Sequence, residues 1–282
     1  MSHINHFAHG WVTPVLAYLM SVVGSLLGLM LTARARSAEG SARVRWLIGG
    51  ALSIGGTGIW VMHFIAMMGF DVPGTLIRYN VPLTIVSFVI AVAVAFGGLL
   101  VVSRGGGRAL PLLVGGLITG VGVAAMHYTG MFAMNMSGQV NYDILVVAIS
   151  VLIAVVAATV ALWFTLRVEG ALATIGAALI MGVAVNGMHF TGMYAMSVRL
   201  QEGLSTGGAE AIDFLLPLLV GISLLTVGLL LAVLLSPSAA ELREDAAILA
   251  RLESRRQSQN GTLPPPVQEP TRKDSLFTPR NQ

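Results

Sequence analysis

The sequence predicts an all-α, polytopic membrane protein of seven transmembrane helices, its N-terminus outside and its C-terminus cytoplasmic. Three observations predict this. First, 55% of the 282 residues are hydrophobic and 10% are charged, where soluble domains carry about 25% charged residues. Second, seven apolar runs reach the ~20 residues that span a bilayer: 12–33, 46–69, 81–102, 110–133, 142–166, 171–196 and 212–235. Third, 14 of the 16 Lys and Arg follow helices 1, 3, 5 and 7, and only Arg78 and Arg199 fall in the other loops. The positive-inside rule converts that asymmetry into the stated orientation.

Each element has its own justification. Residues 1–11 form an outer N-terminal segment without Lys or Arg, whereas a signal peptide opens on a basic stretch, so the first run is retained as a helix. The membrane domain covers 12–235. After the leading helix it reads as a threefold internal repeat of helical hairpins, because His63, His127 and His189 recur 64 and 62 residues apart. Gly-rich runs such as "GGLITGVGVAAM" precede each histidine and suit close helix packing in lipid. The outer loops hold Asp71, Asp143, Glu202, Glu210 and Asp213 and are net negative, which mildly favours cations.

Residues 236–256 form a cytoplasmic amphipathic segment. Ser238 and Glu241 have the spacing of a capping box, and Leu242, Leu249 and Leu252 share a face of a helix over 239–256. That helix would lie on the membrane or pack on a partner helix, the first being preferred. Residues 257–282 contain "PPP" and few apolar residues and are expected to be disordered.

Chemistry concentrates in three stretches, "IWVMHFIAMMGF" (59–70), "AAMHYTGMFAM" (124–134) and "NGMHFTGMYAM" (186–196), which hold nine of the 14 Met. At ~100° per residue, Met131 and Met134 lie within about 40° of His127 on one helical face, with Met126 on the flank. His189 repeats this with Met193, Met196 and Met188, and His63 with Met67 and Met62, while Phe70 replaces the last Met of the first unit and Met68 lies nearby. Each histidine is about seven residues, or ~10 Å, from the outer end of its run.

The helix cores otherwise lack Asp, Glu, Lys and Arg, and an ionisable residue inside a span is a functional-site hypothesis by default. Imidazole suits copper and other transition metals, and thioether selects soft Cu(I). Packing remains the competing explanation, since Met fills irregular gaps and aromatics gather at membrane interfaces. His3, His6 and His9 lead into the first helix on the same side; they add ligands or sit at the membrane surface, and the second is preferred. Cysteine is absent, which excludes disulfides, thiolate ligands and a Cys nucleophile. No nucleophile–base pair, carboxylate pair, kinase segment or nucleic-acid-binding segment is found, so an enzyme is not expected.

"AMHYTGM", with "MHFIAM" and "MHFTGM", resembles the MHYT family of integral-membrane sensor domains over about residues 10–235. The resemblance implies copper held near the outer face by Met62, His63, Met67, Met126, His127, Met131, Met188, His189 and Met193, with Met134 and Met196 as additional candidates. It implies a sensor of a diatomic gas (oxygen, carbon monoxide, nitric oxide) or of redox state in a bacterial cytoplasmic membrane. Only the second unit reads "MHYT" in full; Phe64 and Phe190 stand where Tyr128 does, so a Tyr hydroxyl is not required in each unit. Many relatives carry a cytoplasmic output domain, and the tail of this chain is too short for one, so an unidentified cytoplasmic output protein is expected as partner.

Two other functions remain open. A copper carrier or transporter needs ligands in both leaflets, and the inner halves of the motif helices offer mainly Gly, Ala, Val and Leu, with Ser53, Thr57 and Thr119 as scattered hydroxyls. A haem-type electron-transfer protein has His and Met for axial ligands, but Gly-rich packing leaves it little room.

Overall fold

The computed structural model describes residues 8, 10–201, 207–235 and 239–260. It divides into two units, 1–236 and 237–282. His3, His6 and His9 lie outside the described residues, as does 261–282. The second unit contributes one 22-residue helix, α8 (Ala239–Asn260).

The first unit holds seven helices long and apolar enough to cross a membrane. They are α1 (Val12–Ser37), α2 (Gly40–Met67), α3 (Val81–Arg104), α4 (Ala109–Phe132), α5 (Ile144–Arg167), α6 (Ala171–Tyr194) and α7 (Ala211–Leu235). The chain is therefore a multi-pass membrane protein. The helices α1, α6, α5, α4 and α3 pack in sequence around α2, which also meets α7. Accordingly 83% of the apolar window of α2 is buried, against 50% or less in the others. In its middle, Leu52–Val61 is wound as a π-helix.

Close backbone approach explains several of the glycines. A Cβ on Gly24 of α1 would lie 2.3 Å from the backbone N of Gly58 in α2, and one on Gly120 of α4 would lie 2.4 Å from the Cα of Val155 in α5. Those contacts exist because both residues lack a side chain, and lipid offers no hydrophobic drive that could replace them. A few buried polar side chains tie one helix to another. Ser53 Oγ donates to Gly24 O at 2.9 Å, Trp60 Nε1 donates to Ser87 Oγ at 2.9 Å, and Thr57 meets Thr226.

Helix starts and stops follow local chemistry. Asn80 caps α3 by accepting from Leu83 N at 3.1 Å, and Asp143 caps α5 by accepting from Leu145 N at 2.9 Å. At the end away from the motifs, three arginines donate to the last carbonyls of three helices. Arg43 reaches Ser103 O of α3 at 2.5 Å, Arg36 reaches Thr165 O and, at 2.9 Å, Val168 O at the end of α5, and Arg34 reaches Val233 O of α7 at 2.5 Å. Cations there satisfy orphan carbonyls and oppose the negative end of the helix dipole.

The all-α expectation needs one addition. The loops at the motif end form two antiparallel ribbons. One pairs β1 (Arg78–Tyr79) with β2 (Met134–Asn135), and the other pairs β3 (Gly138–Tyr142) with β4 (Met196–Leu200), Gly138 opposite Leu200 and Tyr142 opposite Met196. A bridge between Tyr79 and Ala209 and an ion pair of Arg78 with Glu210 at 3.0 Å join the last loop to the first. The motif-end loops are thus stitched together pairwise. The stitching has a repeat logic: Asn80 N donates to Ala133 O and Asp143 N to Ala195 O, each at 2.8 Å.

Candidate metal centre

The motif helices α2, α4 and α6 each end within five residues of their histidine, at Met67, Phe132 and Tyr194. These ends are closer than the seven residues expected, because the chain turns into the ribbon loops. All three imidazoles are buried at 1% exposure. They form a near-equilateral group with ring centroids 4.9, 5.0 and 5.1 Å apart and rings steeply inclined at 72°, 81° and 89°. The repeat of the sequence has become a pseudo-threefold arrangement of side chains.

Its nitrogens converge. His63 Nδ1 lies 3.0 Å from His189 Nδ1 and 3.2 Å from His127 Nδ1. One ligand atom from each histidine fits within 4.8 Å of the others. A neutral ring nitrogen carries either one N–H or one in-plane lone pair. His63 Nδ1 therefore has one hydrogen or one lone pair to share between two neighbours and cannot make a well-directed hydrogen bond to both. The outward nitrogens gain nothing from the protein either. Nε2 of His63 and Nε2 of His127 are buried without a hydrogen-bond partner. An unsatisfied buried polar group costs about 1–3 kcal/mol, so this geometry is unfavourable for the protein alone.

A cation at the convergence point removes the conflict, since it accepts all the lone pairs. Metal–imidazole bonds of about 2.0–2.1 Å put ligand nitrogens roughly 3.3–3.6 Å apart around one ion, a few tenths beyond the observed contacts. The donor set, neutral nitrogen with sulfur nearby and no carboxylate, fits a soft transition metal.

The seats of the rings are glycines. A Cβ on Gly130 would lie 2.3 Å from His63 Nε2, and one on Gly192 would lie 2.3 Å from His127 Nε2. Each histidine in these pairs leans on the residue three places after the histidine of the next repeat. The recurring His-x-x-Gly of "MHYTG" and "MHFTG" carried that signal, and it escaped sequence reasoning aimed at donor atoms.

Most of the thioethers gather at the same end of the bundle as the trio. Met67, Met126, Met131, Met134, Met188, Met193 and Met196 belong to one buried cluster with Trp60, Phe64 and Tyr79. Met62 is equally buried but packs elsewhere, with Ala17 and Ala66. The helical-face placement of Met134 and Met196 is corrected: α4 and α6 have already ended, and both residues enter the cluster from β2 and β4. Met136, absent from the sequence-based set, joins the same cluster. The hydroxyl of Tyr128 turns away from the trio to Ser150 Oγ at 2.7 Å, which is why Phe64 and Phe190 serve in the other repeats.

A family profile described as the MHYT bacterial signalling protein N-terminal repeat matches three times, over residues 56–115, 120–178 and 182–243. The chain belongs to the MHYT family. Each MHYT repeat begins on a motif helix and takes in the return helix that follows it. The chain is 36% identical over 253 residues to the bifunctional diguanylate cyclase/cyclic di-GMP phosphodiesterase MucR of Pseudomonas aeruginosa, covering 86% of this chain and 36% of that protein. It is 35% identical to the cyclic di-GMP phosphodiesterase NbdA of the same organism, and 32% identical to the signalling protein YkoW of Bacillus subtilis. Each of these two matches covers 67% of this chain and 24% of the relative. The MHYT chain thus spans about a third or less of the length of these relatives. No solved structure is a significant match.

Proposed function

We propose that this membrane signalling protein binds copper, with Cu(I) favoured, at the centre formed by His63, His127 and His189, and that it senses a diatomic gas or a redox change there. The observation that carries the proposal is the convergence of Nδ1 atoms at 3.0 and 3.2 Å, where His63 cannot make a well-directed hydrogen bond to both neighbours and a shared cation can accept all the lone pairs. Met67, Met131 and Met193, each one turn beyond a histidine, are the thioethers proposed to tune it. Copper there would supply a redox-active, gas-binding ion. The residues supply neutral donors, a shield of Trp60 and Phe64, and a cap of paired loops that limits water.

Signal transfer follows from the connections. A change in ring positions at the centre shifts α4 and α6 through Gly130 and Gly192, and those helices pack on α5. The arginines that bind the far ends of α3, α5 and α7 lie on one hairpin, α1–α2, which is placed to gather the change. Positive-inside topology puts that hairpin in the cytoplasm, facing an output partner. The names of the relatives suggest cyclic di-GMP turnover as the output. Catalysis is assigned to that partner and not to the membrane body.

The alternatives fit less well. The three rings are in mutual contact, which leaves no space between them for a haem macrocycle. The inner hydroxyls that a transporter would need are bonded to neighbouring helices: Ser53 to Gly24 O and Thr119 to Val94 O. Elemental analysis of tag-free protein in mild detergent tests the proposal. Copper near one ion per chain is expected, with loss to background in a folded His63→Ala/His127→Ala/His189→Ala variant. Protein that stays metal-free after Cu(I) loading would return the motifs to a packing role.

A further inference from the structure

Below the histidines the bundle is not solid. A cavity of about 50 Å³ lies among α1 to α6. Ile59, Val123 and Val185 line it, and each stands four residues, one helical turn, before a histidine of the trio. The cavity therefore begins one turn from the centre, and α5 supplies more of its wall than any other helix.

Its chemistry is narrow. The wall is mainly aliphatic, with Ala154 and Ala158 of α5 facing the space. Ser25, Thr119 and Thr165 are its polar lining, and the two threonine hydroxyls donate to Val94 O at 3.3 Å and Leu162 O at 2.7 Å. A buried water needs two to four polar partners, whereas apolar cavities stay dry and accept apolar guests. An engineered cavity of about 150 Å³ takes benzene, so a third of that volume suits a molecule of two or three atoms. The π-wound stretch of α2 supplies Ile54 and Ile59 to the wall. Such windings are uncommon in helices and gather at functional sites.

We propose that this cavity docks a small apolar molecule, of the size and polarity of a diatomic gas, one helical turn from the imidazoles. The bilayer is its source, because apolar solutes partition from water into hydrocarbon. As a feature of signalling the proposal rests on the sensor function above; as a binding site it is independent of metal.

Xenon is the probe that separates the two. Metal-free full-length protein in nanodiscs, titrated with xenon and followed by ¹²⁹Xe NMR, should give a saturable shift that empty nanodiscs lack. Ala158→Leu fills the space and should reduce that shift several-fold, while a separately loaded sample takes up as much Cu(I) as the unaltered protein. Ala161→Leu, on the same wall, serves if the first variant does not fold, and Val156→Leu on the exposed face of α5 should change nothing. A response equal to that of empty nanodiscs, or unchanged in a folded cavity-filling variant, overturns the proposal. Saturable xenon binding in a protein that never takes copper would keep the cavity and sink the sensor reading instead.

Discussion

His63 Nε2 rests where Gly130 has no side chain; a methyl group on Gly130 would stand 2.3 Å from it. Gly192 and His127 repeat the relationship at the same distance. Ala66 occupies the matching place after His63, so two of the three seats are glycine.

Gly130→Ala and Gly192→Ala should each push an imidazole out of the trio. Overpacking of this kind costs about 1–3 kcal/mol, and copper content should fall with it. Gly187→Ala, with open space around it on α6, should be neutral or slightly stabilising, because alanine reduces the freedom of the unfolded chain. Thermal unfolding in nanodiscs, with metal analysis of each variant, checks the contrast. Equal effects at all three glycines would mean that the seats are ordinary packing.

The methionines divide into two expectations. Met62 packs with Ala17 and Ala66, away from the cluster that holds Met67, Met131 and Met193. Met62→Leu should leave Cu(I) affinity unchanged. The Met67→Leu/Met131→Leu/Met193→Leu variant should weaken Cu(I) binding and shift its preference toward harder ions. Leu and Met are close in volume, and each swap usually costs under about 1.5 kcal/mol, so a folded protein is expected. Competition with a Cu(I) chelator reads the difference; identical affinities in the two variants would remove thioether from the site.

Much of this was legible in the sequence, for reasons that can be named. Seven spans follow from hydrophobic length alone, since backbone in lipid must be helical unless buried or paired. The histidines were singled out because imidazoles among Val, Ala and Gly need a reason to be there. Their meeting was not legible. The period of 3.6 residues puts His127 and Met131 on one face, but says nothing about whether the faces of α2, α4 and α6 converge. The ribbons escaped too: β1 and β2 are two residues each, shorter than any detectable alternation, and their partners lie in other repeats. Met134 and Met196 were misplaced for the same reason, because a helical projection continues past a helix end that only the strand pairing reveals.

Arg36 should matter more than its exposure suggests. It donates to Thr165 O and Val168 O at the end of α5. Arg36→Ala should fray the last turn of α5 and destabilise the protein by about 0.5–2 kcal/mol, while copper content at the far end stays the same. Hydrogen exchange should rise at residues 163–168 and stay unchanged near His127. Glu210→Gln, which breaks the partly exposed pair with Arg78, should cost less than ~1 kcal/mol. A larger loss for Glu210→Gln than for Arg36→Ala would contradict this ranking.

Orientation decides which side the centre serves, and the absence of cysteine makes it simple to measure. The chain has no native thiol, so each introduced one reports alone. Leu76 lies in the motif-end loop after α2 and is exposed; Leu172, at the other end, opens α6 and is also exposed. Both substitutions leave the basic residues, and thus the topogenic signal, untouched. Because 14 of 16 Lys and Arg follow the first, third, fifth and seventh apolar runs, the positive-inside rule predicts Leu76 outside and Leu172 in the cytoplasm. Intact cells treated with a membrane-impermeant maleimide should label Leu76→Cys at once, and Leu172→Cys only after lysis. The reverse pattern would turn the trio toward the cytoplasm, and the signal would then have to come from inside the cell.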